Sequence, residues 1–315
     1  MSGSSRSQAS TEPLLDQLFH AIAQVVKGQE TATQLLVAAL LAQGHVLIED
    51  IPGVGKTTLA RALARSVDLA TARVQFTPDL MASDLVGVSV YRPNSGQFEF
   101  SPGPIFANVV VADEINRASP KTQSALLEAM EEGTVTVDGH TYDLPTPFIV
   151  LATQNPFEME GTYALPEAQR DRFMVRLALG YPAFQDEVAM LDASEFADPI
   201  DHLQPVLPTT QLRHLITAAR VIYAAPAVKT YLVDLVVASR QMPGVRLGIS
   251  PRGGIQLLRM AKAWALLKGR DHLLPDDVQA MVVPVWGHRL VLARGDDRDE
   301  AESILRQLIA QVPVR

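Results

Sequence analysis

The chain alternates between two kinds of hydrophobic pattern, and the switch between them sets the architecture. Leu14, Leu15, Leu18, Ile22, Val25 and Val26 recur at helical spacing between Thr11 and Val26. A second helix is predicted from about Gln29 to Gln43, with Gly44 as its stop. HVLIED (45–50) then reads as a buried strand, followed by a glycine loop and a helix reaching about Val67. Residues 73–76 read as a second strand and NVVVADE (108–114) as another buried one, with further strands at 148–156 and 172–179. Between them, Ser119-Pro120 marks a helix start and Gly133 its end. Strands alternating with helices in this way predict a parallel sheet covered on both faces.

Two stretches break the alternation. Residues 78–107 carry the turn signals Pro93-Asn94-Ser95-Gly96 and Pro102-Gly103-Pro104 around short alternating pieces, which predicts a small inserted hairpin. TVTV-DG-HTYDL predicts a second hairpin, closed by Asp138-Gly139. After Tyr181-Pro182 strand patterns cease, and from about residue 209 the pattern is helical to the end. The expected division is a flexible start over 1–10, an α/β core over 11–184, a linker over 185–208 and a helical domain over 209–315.

Composition narrows the class without naming a function. With 315 residues, 47% hydrophobic and 20% charged, the chain can bury a sizeable core. A net charge of −8 argues against a broad nucleic-acid surface. There is no cysteine, which excludes disulfides and thiolate chemistry and fits a reducing cytoplasm. The start MSGSSRSQAS has no apolar segment of the kind a signal peptide needs, and the apolar run from Leu35 to Ala42 is too short to cross a bilayer, so no membrane insertion is expected.

The chemistry concentrates at strand ends. In IPGVGKTTLA the loop Pro52, Gly53, Val54, Gly55, Lys56, Thr57, Thr58 stands between a strand and a helix. Glycines open the backbone amides towards phosphates, Lys56 reaches the outer phosphates, and Thr57 offers a hydroxyl to magnesium. Asp50 stands where the first glycine of such loops usually falls, and raises the question of whether the corner still forms. The strand ending in Asp113 and Glu114 supplies a metal-holding carboxylate and a base to polarise water. Asn155, ending the strand ATQN, could orient that water or merely cap a turn. Arg170 and Arg172 could meet the γ-phosphate, in this subunit or a neighbouring one, or pair with Glu167 or Asp171. Arg252, in the first turn of a helix opened by Ser250-Pro251, could close onto nucleotide held in the first domain.

These motifs sit in long strings: IPGVGKTTLA, FTPDLMASDLVG, VVVADEINRASPKTQSALLEAMEE, ATQNPFEMEGTYALPEAQRDRF and SPRGG. Over nearly the whole chain they resemble the MoxR family of AAA+ ATPases. The resemblance implies a P-loop core with a helix-2 insert and a hairpin before sensor 1, then an all-α lid. It implies Val26, Lys27 and Gly28 at the adenine, Asn155 as sensor 1, Arg172 in preference to Arg170 as the finger donated to an adjacent protomer, and Arg252 as sensor 2. It further implies ATP and magnesium as cofactors and a ring, usually a hexamer. The work implied is remodelling or maturation of partner proteins, including metal-cofactor insertion, often beside a protein with a von Willebrand factor A domain. A nucleic-acid motor is the competing reading. It is disfavoured because residues 134–147 hold no Lys or Arg and the 78–107 insert holds only Arg92.

Overall fold

The computed structural model describes residues 12–51, 53–155, 163, 165–194, 199–295 and 297–314. Pro52 and the expected flexible start over 1–10 lie outside the described residues. Two helices, α1 (Glu12–Val25) and α2 (Glu30–Leu41), precede the sheet. The sheet strands are β1 (Val46–Glu49), β2 (Thr71–Gln75), β5 (Val109–Asp113), β8 (Ile149–Gln154) and β9 (Val175–Leu177), all parallel, in the order β2-β5-β8-β1-β9. Helix α3 (Lys56–Ser66) links β1 to β2, and α5 (Pro120–Glu132) follows β5.

The strands read as continuous apolar runs because both faces are covered. Residue parity decides which side each one joins. Val46, Ile48, Val109, Val111, Ile149 and Leu151 enter one hydrophobic cluster with α1, α2, α3 and the C-terminal helices. Their alternates Leu47, Val110, Ala112, Val150 and Ala152 enter a second one with Leu126 and Leu127 of α5. The first cluster runs on without a break into Leu257, Val278 and Trp286, so the C-terminal domain shares a core with the sheet layer.

Local chemistry explains the punctuation. Ser119 Oγ accepts the Thr122 amide and Pro120 takes the first position of α5, while Gly133 at φ 67° ends it. Asp138 (φ 49°) and Gly139 (φ 78°) make the tight turn between β6 (Thr134–Val137) and β7 (His140–Asp143), as the Asp-Gly pair predicts. The insert holds a short helix α4 (Ala82–Val86) and the hairpin β3 (Gly87–Arg92) with β4 (Gln97–Pro102). Phe100 stacks on Tyr142 with centroids 4.0 Å apart, fastening the two hairpins to each other.

Two expectations are refined. The stretch expected as a linker contains helix α7 (Phe184–Ser194) and a 3-10 turn at Pro199–His202, and it folds back on the core. The amides of Val206 and Leu207 both bond the Ser66 carbonyl, and Arg65 bonds the Ile200 carbonyl. The last domain is helical, with α8 (Thr209–Val221), α9 (Pro226–Ser239), α10 (Pro251–Leu267), α11 (Pro275–Trp286) and α12 (Arg298–Gln311). It also holds one small antiparallel pair, β10 (Val245–Leu247) with β11 (Val291–Leu292). Strands of two and three residues, joined across a long separation, leave no periodicity to read. Short helix α6 (Glu167–Arg170) precedes β9.

His45 staples the start of the sheet. The Val150 amide donates to its Nδ1 at 3.0 Å, so the ring proton sits on Nε2 and donates to the Met130 carbonyl at 3.0 Å. Burial pushes its pKa from 6.5 down to about 4. A depressed histidine contributes stability that is complete above pH 6.5 and is lost as pH falls towards 4. Between pH 7 and pH 4 the wild-type chain should therefore lose on the order of 3 kcal/mol more stability than His45→Gln, in urea denaturation at each pH. Parallel curves for the two proteins would show that the ring is not held neutral.

Candidate functional site

The loop after β1 forms its turn with glycine where glycine is needed. Gly53 (φ 84°) and Gly55 (φ 87°) are left-handed, and nothing lies within 4 Å of the Cβ that either lacks. The resulting concavity opens onto the first turn of α3, whose N-terminal amides and dipole favour an anion. Lys56 Nζ donates to the Asp50 carbonyl at 2.6 Å and to the Gln154 carbonyl at 3.4 Å, between β1 and β8.

Asp50 answers the question its position raised. It is not among the positive-φ residues, so the corner does not require glycine. Its side chain is in use elsewhere: Oδ2 accepts the amides of Leu179 (2.5 Å) and Gly180 (2.6 Å), and Oδ1 accepts the Ile51 amide (2.8 Å). The carboxylate ties the phosphate-loop entrance to the chain leaving β9.

At the end of β5, Asp113 is buried and receives three donors. Thr57 Oγ1 (3.0 Å) and Thr153 Oγ1 (3.2 Å) donate to Oδ1, and Arg73 Nε donates to Oδ2 at 2.7 Å. Glu114 adopts a left-handed backbone (φ 58°, ψ 50°), a conformation that costs a non-glycine residue and turns its side chain off the strand line. Its amide donates to Thr153 Oγ1 at 3.0 Å, and its Oε2 accepts Gln75 Nε2 at 2.8 Å and pairs with Arg117 at 3.1 Å. Asn155 is buried at the end of the neighbouring strand β8. Thus Lys56, Thr57, Asp113, Glu114 and Asn155 meet at the C-terminal edge of the sheet, where ligands of open parallel sheets bind.

The residues present suit a magnesium nucleotide. The Cβ-free cradle, the cation Lys56 and the hydroxyl–carboxylate pair Thr57–Asp113 are side by side. Among the described residues no three His, Cys, Asp or Glu side chains cluster. A cation at Thr57 and Asp113 would take its remaining ligands from phosphate and water, the habit of magnesium.

Arg172 and Arg252 lie elsewhere. Both guanidinium groups converge on Glu131: Arg172 reaches Oε2 at 3.0 Å, and Arg252 bonds Oε1. The Arg252 contact holds the Glu131 carboxyl below its ordinary pKa. Glu131 lies in the last turn of α5 beside Met130, whose carbonyl takes the His45 ring proton, and the Met174 amide bonds the His45 carbonyl at 2.8 Å. This is the N-terminal edge of the sheet. From His45 to Asp50 the strand spans roughly 16 Å at ~3.3 Å per residue. In this arrangement Arg252 does not approach the phosphate loop of its own core, onto which it was expected to be able to close. The lid packs so that Arg252 stands with Arg172, at the end of the sheet away from the phosphate loop.

A lid clamp fixes these arginines. Buried Arg289 donates to Asp171 Oδ1 at 2.8 Å, to the carbonyls of Asp171, Phe173 and Met174, and to Gln256 Oε1 on α10, whose first turn carries Arg252. Burial lowers its pKa to about 10. His288 Nε2 donates to the Phe173 carbonyl at 2.9 Å. The segment 171–174 carrying Arg172 is thus gripped by the lid. Arg170, the alternative finger, is two residues away and half-buried.

Of the residues expected at the adenine, Gly28 lines a cavity of about 350 Å³ with Ala178 and Leu179, next to the amides held by Asp50. Its φ is 68°, and a Cβ there would strike Asp186 at 2.3 Å. Val26 packs into the core, and Lys27 turns back to the Ala23 carbonyl. Sequence reasoning missed Arg73, Gln75, Arg117, Glu131 and Arg289. Arg117 and Glu131, like Thr153, lie inside quoted strings, but no role was read for them there.

The comparisons agree with this fold. Residues 45–175 match the model of the ATPase family associated with various cellular activities (AAA), and residues 237–308 that of the AAA lid domain. The chain is 49% identical to Bacillus subtilis YeaC, covering 98% of this chain and 97% of that one. It is 38% identical to the chaperone MoxR1 of Mycobacterium tuberculosis (91% and 78%) and 34% identical to the protein MoxR of Paracoccus denitrificans (92% and 93%). The crystal structure of a Cytophaga hutchinsonii protein assigned as an ATPase superposes with a TM-score of 0.89 at 34% identity, over 99% of this chain and 98% of that one. The chain belongs to the MoxR family of AAA+ ATPases.

Asp50→Gly would restore the usual loop residue yet leave the Leu179 and Gly180 amides without their acceptor. It should lower stability by about 1–3 kcal/mol in chemical denaturation. Unchanged or raised stability would show that the carboxylate is dispensable.

Proposed function

We propose that the chain hydrolyses ATP in a homo-oligomeric ring, each active site built from two subunits, and uses the cycle to remodel protein clients. The observation that supports this is the separation of the phosphate-binding edge from the Arg172–Arg252 pair. One subunit presents a cradle for the triphosphate and, on its far edge, two guanidinium groups already converging on one anion. A head-to-tail neighbour joins the two halves, and repetition closes a ring, a hexamer by family resemblance.

In this reading the amides of 53–57 and Lys56 hold the phosphates, Thr57 and Asp113 hold magnesium, and residues near Gly28 hold the adenine. Magnesium, when bound, neutralises phosphate charge. Glu114 takes the proton of the attacking water once it leaves Gln75 and Arg117, and Asn155 orients that water. Arg172 of the adjacent subunit stabilises charge on the transferring phosphoryl group, and Arg252 acts beside it. Arg172 fits the role better than Arg170 because it faces outward with Arg252 on Glu131.

The hairpins favour a polypeptide client over nucleic acid. Arg92 is paired with Glu99 at 3.3 Å, while Tyr91 and Phe98 expose 51% and 72% of their surface. An aromatic, charge-poor tip suits a protein chain better than a phosphate backbone. Clients of the metal-cofactor or complex-assembly kind, alongside a von Willebrand factor A domain protein, are the family-based extension. Among the described residues no helix is long and apolar enough to cross a membrane.

Glu114→Gln should retain ATP binding and lose roughly 10²–10⁴-fold in phosphate release. Normal turnover would remove Glu114 from the mechanism. Arg172→Ala and Arg252→Ala should each be nearly inactive alone, and each should recover part of its turnover when mixed with inactive Lys56→Ala. Recovery with Arg172→Ala but not with Arg252→Ala would return Arg252 to its own subunit's nucleotide.

A further inference from the structure

The lid carries an apolar groove outside the candidate active site. It lies between α9 and α10, encloses about 370 Å³, and is lined by Leu232, Val233, Val236, Val237, Ile255 and Leu258. Val233 and Ile255 are more than half exposed, at 54% and 55%. Two cations, Lys229 and Arg240, stand at its rim. Ile255 also lines the cavity that holds Arg172, Arg252 and Glu131, so the groove is continuous with the arginine pair.

The edge of the sheet that carries the phosphate loop offers its complement. Helix α7 begins four residues beyond Gly180, whose amide is held by Asp50 at the phosphate-loop entrance. Its start exposes Phe184 (80%) and Val188 (42%), one helical turn apart, and Tyr181 just before it is 78% exposed. Asp186 and Glu187 make its first turn acidic. Asp186 lies against Gly28, beside the cavity expected to take the adenine.

We propose that the start of α7 of one subunit seats in the lid groove of the next, with Phe184 and Val188 on the apolar floor and its acidic first turn against Lys229 and Arg240. The occupant is a second copy of this chain. Each surface adjoins one half of the divided active site, so the movement that brings Arg172 and Arg252 to a neighbour's triphosphate brings the groove to that neighbour's α7. Such a contact is head-to-tail and propagates around a ring. It rests on the two-subunit reading of the active site, and it gives nucleotide binding a direct route to assembly, because α7 follows directly from the segment tied to the phosphate loop.

The chain has no cysteine, so engineered thiols report without background. Phe184→Cys and Ile255→Cys are prepared separately, mixed with a non-hydrolysable ATP analogue and magnesium, and oxidised gently. A disulfide needs Cα atoms within ~7 Å. The expected result is a covalent dimer in the mixture and in neither protein alone. Phe184→Asp should bind nucleotide normally and assemble at least tenfold less well in sedimentation. Assembled oligomers without the mixed cross-link, or self-linking of Phe184→Cys, would overturn the docking while leaving the shared active site standing. A chain that stays monomeric with nucleotide at all concentrations would overturn both.

Discussion

The Asp113 carboxylate is the point on which the rest of the site depends. It is buried at the end of β5, and its donors come from three other elements: Thr57 on the helix after the phosphate loop, Thr153 on β8, and Arg73 on the edge strand β2. A buried carboxylate is tolerated only when its oxygens are satisfied, so these groups hold one another in register as much as they hold the acid. Thr153 extends the network one step further, accepting the Glu114 amide and fixing the strained backbone that carries the Glu114 carboxylate.

The same sheet that gathers those groups keeps the arginines away from them. Parallel strands put the loop, Asp113 and Asn155 on one edge, and the entry to β9 puts Arg172 on the other. The ten-residue stretch around β9 is gripped from both sides. Arg289 and His288 of the lid hold its carbonyls at 171–174, and Asp50 holds its amides at 179–180. A change at the phosphate-loop corner and a change in lid position therefore act on one short strand. In the proposed ring, that strand connects the phosphate loop of a subunit to the arginines it would extend to its neighbour.

Much of this was legible in the residues. Continuous apolar runs placed the buried strands, Ser119-Pro120 and Ser250-Pro251 placed two helix starts, and Asp138-Gly139 placed a hairpin, because in each case a local rule acts within a few residues. The glycine loop and the Asp113-Glu114 pair were readable for the same reason. What escaped was long-range. Nothing near Glu131 announces that it will meet two arginines, one 41 and one 121 positions later. The side of the sheet on which the lid settles depends on the continuous apolar core joining α2, α10 and α11, so the edge at which Arg252 stands could not be read from its neighbours in sequence. Asp50 looked like a defect in a motif because its partners lie about 130 residues downstream.

In the proposed ring, one chain holds only half of a working site. Phosphate release per chain, measured across protein concentrations at saturating magnesium and ATP, tests it most directly, with nucleotide affinity followed in the same samples. Turnover per chain should rise steeply with concentration and level off as subunits assemble, while affinity for nucleotide changes far less. Constant turnover per chain down to concentrations where sedimentation shows only monomers would contradict it.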